Sequence, residues 1–178
     1  MSKSFNMLLA GFGGQGILFA GKVIAYAGLM DGQEVSWLPS YGPEMRGGTA
    51  NCSVCLSDEP IGSPQVLTPD VLVAMNQPSL EKFVNDAVPG AVILVDSSLI
   101  DKKVEREDVK TFYIPATALA EENNLKGLAN IILIGKLFKE TGFCGEEALD
   151  KALDKCIPPR KAHLKEPNMK AIQLGMSL

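Results

Sequence analysis

The chain predicts a three-layer α/β/α domain on a mostly parallel, partly mixed sheet. Apolar strand candidates alternate with helix candidates through the first two thirds of the sequence, and the closing third reads as helix throughout. Between them, the strand candidate TANCSVCLS runs into the proline-rich connector DEPIGSPQVLTP with no helix before the next strand, which calls for an antiparallel member. No internal repeat and no long linker divides residues 1–178, so a single domain is expected, long enough to bury a full core.

The elements follow in order. Residues 5–10 (FNMLLA) read as a buried first strand, and 15–30 as a helix stopped at Asp31-Gly32, whose glycine suits a left-handed cap. Residues 33–38 (QEVSWL) form the second strand candidate, followed by the loop PSYGPEMRGG and the strand TANCSVCLS. DVLVAM is another buried strand, followed by a helix capped near Pro78-Ser79. AVILVDSS and TFYIP are strands separated by DKKVEREDVK, a solvated charged excursion. TALAEENN, LANIILIGKLFKETG, EEALDKALDKC and a last segment near NMKAIQLG make up the helical close.

Composition narrows the partners. Seventeen basic against 21 acidic residues leave a formal charge of -4 with no basic block, which argues against nucleic acid or an anionic membrane surface. Lys3 before an apolar run and Ala25-Tyr26-Ala27 mimic a secretory signal, but Gly11 to Gly16 interrupt that run. The apolar stretches are also shorter than the roughly 20 residues that span a bilayer, so a cytoplasmic chain is expected. Cys52 and Cys55 form a C-x-x-C in a strand candidate, where positions three apart face opposite ways; with Cys144 and Cys156 they read as reduced structural thiols, not a metal or redox site.

The turn GFGGQG carries two phosphate-loop patterns, G-x-G-x-x-G on Gly11, Gly13 and Gly16, and G-x-x-x-x-G-K from Gly16 to Lys22. The second fails because Val23 stands where a metal-binding serine or threonine belongs and Ile17 to Ala20 are helix interior. The first has its strand–turn–helix context but lacks the ribose-binding acid, since the second strand ends Trp37-Leu38-Pro39. Gly11, Gly13, Gly14, Gln15 and Gly16 therefore read as a tight packing turn first, and as an anion contact at a helix N-terminus second. After the second strand, Tyr41, Glu44, Arg46 and Gly47 are expected at the same carboxyl edge, with Arg46 free either to clamp a carboxylate or phosphate or to pair with Glu44.

Catalytic equipment is sparse. His163, the only histidine, lies among lysines; no nucleophile elbow is present, and carboxylates such as Glu44 and Asp96 occur singly, so no catalytic or metal-binding residue is assigned. GILFAGKVIAYAGLM and LANIILIGKLF are apolar nearly all round, and Gly21, Ala25 and Gly28 form a small-residue stripe. Either later helices of the chain or another subunit must cover them. In the second case the isolated chain would expose an apolar patch and associate.

Together, GFGGQGI (11–17), SYGPEMRGGTANC (40–52), DEPIGSP (58–64) and GLANIILIG (127–135) resemble the gamma subunit of 2-oxoacid:ferredoxin oxidoreductases, the 2-oxoglutarate branch most of all. The resemblance implies a complex that decarboxylates 2-oxoglutarate on thiamine diphosphate, passes electrons through iron-sulfur clusters to ferredoxin and releases succinyl-CoA. It also implies alpha, beta and delta-type companion subunits that carry those cofactors. No thiamine-type G-D-G stretch or C-x-x-C-x-x-C run assigns either cofactor to this chain, which is expected to bind none alone and to be inactive when isolated. Gly11, Gly13, Gly14, Gln15, Gly16, Glu44, Arg46 and Gly47 would then be crevice or subunit-interface contacts near the entrance used by CoA. The same role in a pyruvate or branched-chain enzyme, and a free-standing Rossmann-like nucleotide-binding protein, are the alternatives.

Overall fold

The computed structural model describes residues 3–40 and 49–178. Its elements are β1 (Ser4–Phe12), α1 (Ile17–Met30), β2 (Glu34–Ser40), β3 (Thr49–Ser57), β4 (Val71–Ala74), α2 (Gln77–Phe83), β5 (Val92–Asp96), β6 (Lys110–Ile114), α3 (Ala116–Glu122), α4 (Ala129–Thr141), α5 (Glu146–Cys156) and α6 (Lys165–Met176). Short 3₁₀ turns at Val84–Asp86 and Pro159–Leu164 complete the described chain. The types of the strands and α-helices match the sequence reading; the two 3₁₀ turns had no forecast.

The six strands form one sheet in the order β2-β3-β1-β4-β5-β6. β1, β4, β5 and β6 are parallel neighbours, and β3 runs antiparallel to both β1 and β2. β3 is thus the antiparallel member that the helix-free stretch called for. It lies next to β1, in the place where a dinucleotide-binding unit would put its second strand, and β2 is displaced to the edge. The end of β2 therefore does not border β1.

Apolar alternation along the strands splits the core between the two faces. On the first face Met7, Leu9, Cys52, Val54, Leu56, Val73 and Leu94 pack under α1, α3 and α4. On the second, Leu8, Cys55, Leu72, Ile93 and Val95 pack with Leu80 of α2. The all-round apolar character of α1 and α4 is resolved within the chain, because α5 lies over α1 and α6 over α4 as a second tier of helices. The stripe on α1 faces the sheet: a methyl added at Gly28 would stand 2.5 Å from Leu56 Cδ2, and one at Gly21 would strike Cys52 Sγ.

Local signals account for the boundaries. α1 stops in a Schellman motif, with Gly32 at φ +80°, its N–H donating to Leu29 and that of Gln33 to Gly28. Asn76 caps α2 by accepting from Ser79 N at 2.9 Å, with Pro78 in the first turn. The charged excursion is irregular over 101–109, yet Val104 and Val109 pack against the second core, and the Arg106 guanidinium donates to the carbonyls of Val84 and Ala87.

Candidate functional site

The crevice opens at the carboxyl ends of β1 and β4. α1 follows β1 onto the first face of the sheet and α2 follows β4 onto the second, so the two outgoing turns diverge. That divergence is the switch point at which open α/β sheets hold ligands.

The glycine turn is built for close approach. Gly14 and Gly16 have φ of +90° and +73°, a region that costs other residues about 1 kcal/mol or more. Gln15 ties the turn down at both ends of its amide: Oε1 accepts from Phe12 N at 2.6 Å, and Nε2 donates to the Met75 carbonyl at 3.0 Å. A side chain at Gly11 would collide with Gln15 Oε1. At Gly16 it would collide with Asn130, whose Nδ2 donates to the Gly16 carbonyl at 2.9 Å. The turn is therefore locked between β4 and the first turn of α4. The helix it opens has no side-chain N-cap, so the positive end of α1 meets the crevice.

The opposite wall comes from β5 and α3. Asp96, fully buried, accepts from Thr117 Oγ1 at 2.6 Å and from Ser98 N at 3.1 Å, which fixes the start of α3 against the end of β5. Between the walls lies a cavity of about 210 Å³ reached by Gly14, Gln15, Met75, Thr117, Glu121 and Lys126. Lys126 is its one cation among the described residues, and Glu121 sits beside it on the same lining. A cavity of this size would hold one part of an extended ligand, such as a phosphate group or a short chain.

Of the residues singled out in the sequence, Gly11, Gly13, Gly14, Gln15 and Gly16 come together in this turn. Tyr41, Glu44, Arg46 and Gly47 lie outside the described residues. The chain leaves β2 at Ser40 and enters β3 at Thr49, and Thr49 pairs with Phe12 at the mouth of the turn. Asn130, Asp96, Thr117 and Lys126 were not marked as site residues. For Asn130 a signal existed, since it is the one polar residue in the run LANIILIG.

The cysteines behave as the strand period requires. Cys52 packs in the first core and Cys55 in the second, on opposite faces of β3. All four are unpaired. Burial pushes the Cys52 and Cys144 thiols up to about 12 and that of Cys156 to about 11, and raises Cys55 as well, so none is a ready thiolate at neutral pH. Among the described residues no group of three or more His, Cys, Asp or Glu is placed to share an ion.

A mixed α/β domain with a glycine-turn crevice at the switch point of its sheet is the class that the fold and the site define. The chain belongs to the pyruvate ferredoxin/flavodoxin oxidoreductase family, whose profile matches residues 6–178. It is 41% identical over 153 residues to the 2-oxoglutarate synthase subunit KorC of Methanocaldococcus jannaschii, covering 84% of this chain and 82% of that one. It is 45% identical over 133 residues to the ketoisovalerate oxidoreductase subunit VorA of Methanothermobacter marburgensis, covering 75% of this chain but only 28% of VorA. The chain thus spans less than a third of that longer relative. Among solved structures, the keto/oxoacid ferredoxin oxidoreductase gamma subunit from Geobacter sulfurreducens superposes with a TM-score of 0.86 at 31% identity, over 98% of this chain and 95% of that one. The 2-oxoglutarate:ferredoxin oxidoreductase from Magnetococcus marinus, solved with 2-oxoglutarate, coenzyme A and succinyl-CoA, also gives 0.86, at 26% identity over 98% of this chain and 31% of that one.

Proposed function

We propose that this chain is the gamma-type subunit of a thiamine diphosphate-dependent 2-oxoacid:ferredoxin oxidoreductase, which converts 2-oxoglutarate, CoA and oxidised ferredoxin to succinyl-CoA, CO2 and reduced ferredoxin. The observation that carries the reading is the near end-to-end match to KorC, a subunit of similar length. The VorA relative supports a second reading, the same role with a branched-chain 2-oxo acid. The antiparallel β3 beside β1 argues against a free-standing dinucleotide-binding protein.

The chain's own residues define its part. The thiols diverge, lie buried and resist ionisation, so they do not fit iron-sulfur ligation, and electron transfer is assigned to alpha, beta and delta-type companions. The glycine turn, Thr117 and Lys126 line a cleft that would take an anionic or amide-bearing stretch of CoA. Among the described residues no helix is long and apolar enough to cross a membrane, and four free thiols suit a reducing cytoplasm.

Purifying the native protein without oxygen tests the reading. We expect companion chains, bound thiamine diphosphate and brown colour to travel with it. A lone chain with saturable NAD(P) or flavin binding would contradict it.

A further inference from the structure

On the crevice wall formed by β5 and α3, the direction of hydrogen bonding is set from behind. Asp96, at the end of β5, is fully buried. Its Oδ1 accepts from the backbone N–H of Ser98 at 3.1 Å and from that of Thr117 at 3.4 Å, and its Oδ2 accepts from Thr117 Oγ1 at 2.6 Å. Backbone N–H groups can only donate, so the carboxylate is the acceptor in the first two bonds, and its other oxygen takes the hydroxyl proton. A threonine hydroxyl has one proton and two lone pairs. With the proton turned inward, Thr117 offers a molecule in the cavity an acceptor only.

Gln15, on the wall of the glycine turn, has the opposite polarity. Its Oε1 accepts from Phe12 N and one hydrogen of Nε2 goes to the Met75 carbonyl, so two backbone groups fix which way the amide points. The second N–H of Nε2 has no partner among the described residues. Met75, Leu99, Ala120 and Ala129 give the same cavity an apolar lining, and Lys126 and Glu121 give it one charge of each sign. One donor and one acceptor in an apolar, charge-balanced space of about 210 Å³ match a secondary amide, whose C=O and N–H point opposite ways. An ionised phosphate does not match, because its oxygens only accept. Set against Thr117 Oγ1, they would leave two acceptors desolvated with no bond between them.

We infer that Thr117 is a specificity-determining residue of the crevice and Asp96 its positioning residue, which together with Gln15 select the uncharged, amide-bearing arm of CoA over its phosphates at this place. The inference rests on the function proposed above and narrows it to one stretch of that molecule. Asp96 is too deeply buried to touch a ligand; it acts by holding the Thr117 hydroxyl in one orientation.

The test is calorimetric binding of desulfo-CoA, which keeps the arm and the phosphates but cannot react, to the assembled enzyme. Thr117→Val keeps the shape and removes the acceptor; we expect it to weaken binding about tenfold, as loss of one hydrogen bond in an apolar site does, and Thr117→Ser to stay within about twofold of the wild type. Asp96→Asn reverses the polarity. The two backbone N–H groups keep the side-chain oxygen, so the new amide nitrogen faces Thr117 Oγ1, donates to it and turns the hydroxyl proton toward the cavity. We expect this variant to bind at least as weakly as Thr117→Val, and the double variant to bind like Thr117→Val alone, a coupling that general damage to the fold would not produce. Unchanged affinity in Thr117→Val would overturn the inference. So would tighter binding in Asp96→Asn, which would show the hydroxyl meeting an acceptor such as a phosphate oxygen; both results leave the proposed function standing. Were Asp96→Asn not to fold, the valine and serine variants decide. A wild-type enzyme that binds no desulfo-CoA would overturn the proposed function and the inference with it.

Discussion

At Gly16 one residue meets three demands: a left-handed backbone at φ +73°, the start of α1, and a gap into which Asn130 of α4 fits. Gly14 meets only the first, at φ +90°, with nothing within 4 Å of an added methyl. The two alanine substitutions should therefore separate. Gly14→Ala should cost about 1 kcal/mol in backbone strain alone. Gly16→Ala adds overpacking against a buried amide, for a total of roughly 2–4 kcal/mol. At about 2–4 °C per kcal/mol for a domain this size, thermal unfolding should show Gly16→Ala losing at least twice as many degrees as Gly14→Ala. Equal losses would mean that the Asn130 contact contributes nothing. The G-x-G-x-x-G spacing was legible in the sequence, but a pattern of glycines cannot say which is needed for its φ and which for its missing side chain. That distinction depends on Gln15 and on a residue 114 positions away in the chain.

Among the elements, the closest packing is between α4 and α6. A methyl at Gly135 would strike the Ile172 carbonyl, and one at Gly175 would strike the Ile132 carbonyl, so the two backbones touch through their glycines. Backbone cannot move aside as a flexible side chain can. Gly135→Ala should destabilise the chain by at least about 1–3 kcal/mol despite alanine's better helix propensity, measured by chemical denaturation. A stabilised variant would show that this contact is looser than the geometry states. Helix positions were readable from the period of LANIILIGKLF and EEALDKALDKC, and strand positions from short apolar runs. Which helix covers which was not, because the apolar surround of α1 is satisfied equally by a partner or by α5. The displacement of β2 to the edge was equally hidden. Strand order follows from pairing between segments that no local pattern records.

At the scale of the whole molecule, the function proposed above makes this chain one part of a larger enzyme, to which it brings the crevice beside the glycine turn. The most direct measurement is the rate of ferredoxin reduction by the purified companion subunits, supplied with 2-oxoglutarate and CoA, before and after this chain is added. We expect little or no turnover from the companions alone, none from this chain alone, and restoration of the rate at stoichiometric addition. Full turnover by the companions without it, or any turnover by this chain unaided, would contradict the assignment.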